Sequence, residues 1–341
     1  MPSPLKLPSI SIVIPTLNSG AVLDNCLSSI NSQIYPREKI KILICDGGST
    51  DNTLKIAQKY SCQIYSNPLK TAESGKAIGV KNSNSEFIAL IDSDNILPSQ
   101  NWLKNMIAPL LQETQAIGSE PWEYTYRPHA GFIERYASLT GINDPYSLFV
   151  GNYDRVGALH AWTGLKLSQE DKGNYLKVVL ANNQPVPTIG ANGTIFRSNF
   201  LKNSLKGDYF FDVDILNLAL KKLPELCFIK TKVDIIHTYC ESSFSKFIRK
   251  QIRRVKDLYS FRPDREFSTK SFDIKNILFV IYSLTFFPAL VYSLRGFIKK
   301  RDIAWFFHPF ACFVTAIIYS FFTILKIFHL LKPQSRQTWS Q

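Results

Sequence analysis

Between Ser9 and Asn95 the chain repeats one rhythm: a short β-branched run, a polar turn, then a segment whose apolar residues recur at helical spacing. Strands that alternate with helices in this way pair in parallel, because each helix supplies the crossover that a parallel neighbour needs. Ser9 to Ile14 is the first strand, stopped by Pro15, which has no N–H to give a ladder. In Ala21 to Gln33, Val22, Leu23, Cys26, Leu27 and Ile30 fall on one helical face. Ile40 to Cys45 is the second strand, and the turn cluster Asp46, Gly47, Gly48, Ser49, Thr50 and Asp51 leads from it into a helix over Thr53 to Tyr60. FIALIDSDN, Phe87 to Asn95, holds an apolar run too short for anything but a buried strand, with a helix from about Trp102. The expected class is α/β with a mixed, mainly parallel sheet flanked by helices.

Asp92 and Asp94 stand one residue apart at the end of that last strand. Alternate strand side chains point the same way, and a turn just past the sheet lets both acids converge on one point. Hard cations such as Mg2+ or Mn2+ take this arrangement and usually hold substrate phosphates. Alone, an Asp-x-Asp is equally a solvated turn that caps the next helix. The glycine-containing turn at Asp46 to Asp51 adds a place where backbone N–H groups and a helix dipole can meet a nucleotide. No G-x-G-x-x-G occurs, so a dinucleotide fold has no support.

Four segments in order, SIVIPTLN (Ser11 to Asn18), CDGGSTDNT (Cys45 to Thr53), SGKAIGVKN (Ser74 to Asn82) and ALIDSDN (Ala89 to Asn95), resemble the successive motifs of family 2 glycosyltransferases, which have the GT-A fold. The resemblance implies a hexosyltransferase-class enzyme with a nucleoside-diphosphate sugar as donor. It implies that Pro15, Thr16 and Asp46 contact base and ribose, in motifs that also contain Asn18 and Ser49, with Asp51 near the same pocket. Lys76 would approach the donor, and Asp92 and Asp94, on either side of Ser93, would hold a metal that bridges the diphosphate. The departures are that Cys45 and Gly47 flank Asp46 where a second acid is frequent, and that Ser19 replaces a common acid. Negative charge builds on the leaving diphosphate during transfer, and a metal between two aspartates neutralises it as it forms. Lys76 would add to this, although a lysine in a loop is otherwise simply solvated.

Further along, IGANGTIFR, Ile189 to Arg197, is similar to the family's glycine-rich turn beneath the donor sugar: Gly190 and Gly193 let backbone approach, and Asn192 bonds hydroxyls. DYFFDVDILNLALKK, Asp208 to Lys222, resembles the Glu-Asp signature that supplies the general base. Phe211 replaces the glutamate, so the base falls at Asp212 or Asp214, with Asp212 preferred, unless both acids merely complement a helix dipole. An anionic lipid-phosphate acceptor would need no base. His237 follows the strand-like Val233 to Ile236, in the region from which several GT-A enzymes take a third metal ligand. A lone histidine after a strand is otherwise a structural hydrogen bonder. From Gly118 to Pro187 the chain reads as irregular and aromatic-rich, the expected acceptor side. There Trp162, in the cluster His160 to Gly164, either stacks on a sugar or fills a core.

The composition changes in the last third: residues 231–341 carry 18 Lys+Arg against 7 Asp+Glu, which is +11 of the net +13. FSKFIRKQIRRVKDLY, Phe244 to Tyr259, puts Phe244, Phe247, Ile248, Ile252, Val255 and Tyr259 on one helical face and crowds six cations on the rest. Such a helix suits an anionic membrane surface or nucleic acid. Asn276 to Leu294 and Ile303 to Leu325 then run nineteen and twenty-three residues without a charge, each long enough for a hydrocarbon core of ~30 Å at ~1.5 Å per residue. A membrane is therefore expected and nucleic acid is not. Gln251 to Val255 faintly resembles the Gln-x-x-Arg-Trp motif of processive synthases, but Val255 stands where tryptophan is required, against a polymerase.

The expected division is a catalytic domain over 1–240, an interfacial helix and linker over 241–270, and a membrane hairpin over 271–341. Orientation conflicts: Arg295, Lys299, Lys300 and Arg301 pull the loop between the spans to the cytoplasm, while Arg249 to Lys275 pull the other side there. Cytosolic donor supply, six scattered cysteines and no signal peptide before Ser9 favour a cytoplasmic catalytic domain on the inner or plasma membrane. Otherwise the first segment is re-entrant or in-plane. The expected function is a membrane-anchored, metal-dependent, inverting glycosyltransferase acting on a lipid-linked or glycan acceptor; the alternative is a non-catalytic membrane-tethered scaffold that keeps the fold.

Overall fold

The computed structural model describes residues 7–205, 207–210, 212–260, 274–328 and 330, without the side chains of Asp212, Val213, Asp257, Leu258 and Ser260. The first part forms β1 (Ile10–Thr16), α1 (Leu23–Asn31), β2 (Ile40–Asp46), α2 (Thr53–Lys59), β3 (Gln63–Ser66), α3 (Ala72–Asn82), β4 (Phe87–Leu90), β5 (Asn95–Ile96) and α4 (Trp102–Gln112). Next come β6 (Ala116–Tyr124), α5 (Phe132–Thr140), α6 (Pro145–Val150), β7 (Ser168–Asp171), β8 (Tyr175–Ala181), β9 (Thr194–Arg197), α7 (Ser198–Ser204), α8 (Asp212–Leu220) and β10 (Glu225–His237). The last part is helical: α9 (Phe244–Ser260), α10 (Ile274–Thr285), α11 (Phe287–Lys299) and α12 (Phe307–Ile327).

One mixed sheet runs in the order β3-β2-β1-β4-β9-β6-β10-β8-β7, with β5 paired to β10 off this path. β1 is buried along its whole length between β2 and β4, both parallel to it. Ile10, Ile12 and Ile14 face the core beneath α1 and α4, and Val13 faces the opposite core with Ile88, Leu90 and Phe210. A strand covered on both faces reads as a continuous apolar run, as this one does. From β1 the chain steps to β2 and β3 on one side and to β4 on the other. The strand order therefore reverses between β1 and β4, and in open α/β sheets the crevice outside the carboxyl ends at such a point takes the ligand. β1 continues through Pro15, opposite Cys45, instead of stopping there. Pairing with β4 has already ended at Val13, so Pro15 needs its missing N–H for one neighbour at most.

α3 lies hard against β1. A Cβ at Gly79 would sit 2.2 Å from Val13 Cγ1, so only glycine permits that approach. Thr71 caps the helix by accepting from Ser74 N–H. This places Lys76 on a helix rather than in a loop, 4% exposed and facing the crevice. The span Gly118 to Pro187, expected to be irregular, holds most of β6 together with α5, α6, β7 and β8. β6 escapes a pattern reading because Ser119 and Glu120 interrupt its apolar run, yet both are fully buried. Trp162 is 2% exposed within a core, its Nε1 donating to Gln169 Oε1 at 2.9 Å, and so fills space rather than offering a sugar platform.

The amphipathic helix forms as expected, but its buried seam is Phe247, Gln251 and Val255, one turn apart and packed toward α12, while Phe244 is exposed. The stretch Asn276 to Leu294 is not one straight span. α10 and α11 meet at a 74° bend at Phe286, whose φ is 57°. Pro288 explains the break, since it lacks an N–H and its ring would collide with the carbonyl of Leu284. At 12 and 13 residues, each arm is only about 18–20 Å long. α12 at 21 residues reaches about 31 Å and is long and apolar enough to cross a membrane. Leu278, Ile281, Leu284, Phe287, Ile317 and Phe321 are exposed along this helical part.

Packing crosses residue 240. Ile133, Tyr136 and Leu139 of α5 share a core with Phe247 of α9, with Trp305 just before α12, and with Phe307 and Ala311 at its start. A chain ended at Thr238 would bare that α5 face, and we expect it to aggregate. Size-exclusion chromatography checks this, and a stable monomer that binds donor would show that α5 does not depend on the tail.

Candidate functional site

The turn after β4 is held by one buried residue. Asn95 accepts the Asp92 N–H at its Oδ1 (3.0 Å), returns its own N–H to the Asp92 carbonyl (2.9 Å), and donates from Nδ2 to Asn192 Oδ1 (3.3 Å). Asn95 also pairs with His237 where β5 runs antiparallel to β10, and Thr238 donates N–H and Oγ1 to the Asp94 carbonyl at 3.0 and 3.2 Å. This register brings His237 Nε2 to 3.3 Å from Asp94 Oδ2. Lys250 Nζ of α9 reaches the same oxygen at 3.4 Å, and Lys76 Nζ stands 3.8 Å from Asp92 Oδ1. Burial works to raise the Asp94 pKa, but His237 and Lys250 outweigh it and hold the carboxyl well below the usual range.

The carboxyl ends of β1 and β4 open into a cavity of about 1670 Å³. Pro15, Thr16, Asn18, Lys76, Asp92, Ser93, Asp94, Gly190, Asn192 and His237 all line it. Its far wall comes from α9, α10 and α12. One small-molecule ligand usually occupies ~300–1,000 Å³, so there is room for two reactants.

The arrangement fits a divalent cation in part. Neighbouring donors around a cation with ~2.1 Å bonds lie about 3 Å apart, close to the Asp94–His237 separation. Asn143 Nδ2 faces His237 Nδ1 at 3.4 Å, and Asn143 Oδ1 is buried without a partner. Turned over, that amide would accept from Nδ1–H and leave the Nε2 lone pair for a metal beside Asp94. Among the described residues no three His, Cys, Asp or Glu side chains converge as a ready-made metal site. Mg2+ in particular is commonly held by one or two carboxylates plus substrate phosphates, so an incomplete protein cage is the expected form.

Other expected site residues lie behind the cavity wall. Asp46 accepts four hydrogen bonds, from Thr16 Oγ1 (2.9 Å), Gly48 N (2.9 Å), Ser49 N (2.8 Å) and Ser49 Oγ (2.5 Å). Asp51 accepts from Gly20 N–H (2.9 Å) and from the Thr53 N–H and hydroxyl. Asn18, with φ 47°, bridges the two loops by accepting Thr50 N–H at 2.9 Å and donating its own to Ser49 Oγ at 2.8 Å. Asp46, Ser49 and Asp51 thus shape the loop that carries Pro15 to Asn18. Asp214 is 1% exposed and does not line the cavity, and the Asp212 side chain lies outside the described residues. Gly193 has φ +82°, and a Cβ there would meet Ile235 Cδ1 at 2.6 Å, so glycine alone can make the turn that presents Asn192.

Sequence reasoning missed the charge network beside this turn. Arg155 Nη1 contacts Glu120 Oε1 at 2.5 Å and Asp154 Oδ2 at 2.8 Å, and Lys230 Nζ contacts Glu120 Oε2 at 2.7 Å. The Glu120, Arg155 and Lys230 side chains are 0% exposed. Arg155 Nη2 also donates to the Asn192 carbonyl at 2.9 Å, which ties the network to the site. Asp154 faces the cavity, and burial together with Glu120 pushes its pKa upward. The available signal was a charge set among apolar residues in each strand, Glu120 in β6 and Lys230 in β10.

Residues 11–148 match the family model described as Glycosyl transferase family 2. The match covers 138 of the 341 residues. Glycosyltransferase AglE of Haloferax volcanii is 28% identical over 142 residues, 40% of this chain and 46% of the relative. A dolichyl N-acetyl-alpha-D-glucosaminyl phosphate 3-beta-D-2,3-diacetamido-2,3-dideoxy-beta-D-glucuronosyltransferase of Methanococcus voltae is 35% identical over 105 residues, 29% of this chain and 32% of the relative. The chain thus spans less than half the length of either. Among solved structures, mannosyltransferase PcManGT from Pyrobaculum calidifontis in complex with GDP-Man and Mn2+ is similar at 14% identity and TM-score 0.46, over 100% of this chain and 85% of that one. That likeness is too distant to transfer a substrate. The family match covers β1 to α6, and hence Asp92 and Asp94, but not His237 or α9.

Proposed function

We propose that this chain is a membrane-anchored, metal-dependent, inverting glycosyltransferase that moves a sugar from a nucleoside-diphosphate sugar to a lipid-linked acceptor: a polyprenyl phosphate, a glycolipid or a lipid-linked glycan. The observation that carries this reading is the meeting of Lys76, Asp92, Asp94 and His237 in one cavity at the sheet's switch point, opposite helices with exposed apolar faces. The glycosyltransferase names of the relatives support it, and the Methanococcus voltae relative is named for a dolichyl-linked substrate. Asp94 and His237, with Asp92 across the turn, would hold a divalent cation, which supplies positive charge to the leaving diphosphate. Lys76 and Lys250 add cationic charge on either side of the acid pair, in a site where burial strengthens it. Asn192, which lines the cavity, would bond sugar hydroxyls. α12 and the bent α10–α11 pair would anchor the chain, with the cavity on the cytoplasmic face of an inner or plasma membrane, where sugar nucleotides are supplied.

Full-length protein incubated with membranes, a panel of nucleoside-diphosphate sugars and each divalent cation tests the reading. Transfer of one sugar to lipid extract, lost with EDTA, is expected; neither binding nor turnover of any donor would leave the membrane-tethered scaffold. A hydroxyl acceptor requires a base, and the candidates remain Asp212 and Asp214. Replacing the true base by asparagine should slow transfer ~10²–10⁴-fold at unchanged donor affinity. Near-normal transfer in both variants would point to an acceptor that is already anionic.

A further inference from the structure

Resting on the transferase reading above, we propose that the acceptor is a long-chain lipid bearing a phosphate, and that Arg249 and Arg253 of α9 hold that phosphate. Three of the six cations of α9 pair with carboxylates, and Lys256 lies over the Phe322 ring, 5.7 Å from its centroid, and does not line the cavity. Lys246 pairs with Glu241 at 3.3 Å, Lys250 with Asp94 at 3.4 Å, and Arg254 with Asp144 at 3.7 Å. Arg249 and Arg253 are exposed, line the cavity and have no carboxylate partner among the described residues. Being four residues apart, they stand one above the other on the helix surface, ~5–6 Å between Cβ atoms. Two guanidinium forks at that spacing can share one phosphate group, to which each offers parallel N–H donors.

The opposite wall is apolar. Ile277 and Val280 of α10 and Ile324 and Ile327 of α12 line the same cavity, with Ile277, Ile324 and Ile327 exposed at 48, 52 and 53%. A water-soluble sugar phosphate would leave these side chains facing water, and a neutral glycolipid would give the guanidiniums no counter-charge. An anionic head on a long hydrocarbon chain meets both walls at once. Lys250, between the two arginines in sequence, touches Asp94, so the phosphate would sit about one side-chain length from the acid pair, where one of its oxygens would bond the donor's anomeric carbon as the bond from that carbon to the nucleoside diphosphate breaks and the diphosphate leaves.

The test uses full-length protein in non-ionic detergent micelles, with a long-chain prenyl phosphate, the prenyl alcohol of equal length and a short water-soluble prenyl phosphate. The long phosphate should be the preferred acceptor. The double variant Arg249→Gln/Arg253→Gln should raise its KM at least ~10-fold, with donor KM and slow hydrolysis of donor by water unchanged. Use of the alcohol as readily as the phosphate, or an unchanged acceptor KM in the double variant, would overturn the proposal. Hydrolysis of donor without transfer to the lipid phosphate counts against this inference alone, whereas a complete lack of donor consumption counts against the transferase reading. Direct binding of the long prenyl phosphate is therefore measured in parallel, and equal affinity in wild type and variant refutes the site even if no donor reacts. The set is repeated in vesicles with and without phosphatidylglycerol. An effect of the variant confined to anionic vesicles would assign the arginines to membrane headgroups and likewise overturn the proposal.

Discussion

Asp94→Ala is expected to slow sugar transfer by ~10³-fold or more and to abolish cation-dependent donor binding, while thermal unfolding stays close to that of the parent. The carboxylate is the meeting point of His237 and Lys250 and one wall of the proposed cation site, so its loss removes both the anchor and its orientation. Three decades in rate correspond to about 4 kcal/mol, within what transition-state charge stabilisation by a held cation supplies. The fold should survive because the turn is built by Asn95 and by the Asp94 backbone carbonyl, neither of which the substitution changes. Rates with and without EDTA, together with titration of donor in the presence of Mn2+, check the result. Undiminished transfer in EDTA would sink the metal reading.

Glu120→Ala should be the most damaging single change to stability away from the apolar cores. It leaves Arg155 and Lys230, both fully buried, with only Asp154 as a nearby carboxylate among the described residues. Removing one partner from a buried ion network typically costs ~3–5 kcal/mol, and for a domain of this size that lowers Tm by on the order of 10 °C. The exposed Lys59–Asp24 pair, at 2.8 Å, is the contrast: its side chains are 62 and 48% exposed, and Asp24→Ala should leave Tm almost unchanged. Differential scanning of the two variants beside the parent tests the ranking. Equal, small shifts would mean that the buried network adds little net stability.

What could be read from the sequence was local. β1, β2 and β4 announce themselves because strands buried on both faces are plain apolar runs, and the acid pair stands out because two carboxylates end such a run. β6 was hidden by Glu120, whose counter-charges arrive from Arg155 and from β10. The proximity of His237 to Asp94 depends on the two-residue strand β5, too short for any periodicity to reveal. Residues 276–294 looked continuous because absence of charge says nothing of backbone geometry, although Pro288 was present as a stop signal. The amphipathic face of α9 was legible, but the polar Gln251 in its buried seam was not. That glutamine makes sense beside the Asn143 carbonyl, to which its Nε2 donates at 3.1 Å, and beside Arg254, from whose Nη1 its Oε1 accepts at 2.9 Å.

The shared cavity also bears on the cost of bringing two reactants of opposite solubility together. Lifting a hydrocarbon chain out of a bilayer into water costs about 0.8 kcal/mol per methylene, so freeing even ten carbons would require roughly 8 kcal/mol. With one mouth at the carboxyl edge of the sheet and one wall formed by exposed isoleucines of α10 and α12, neither partner has to be extracted from its own solvent. Under the proposed lipid-phosphate reading the nucleotide would arrive through water, the chain would slide in sideways and the glycosylated lipid would leave by the same lateral route, so partitioning would not limit turnover.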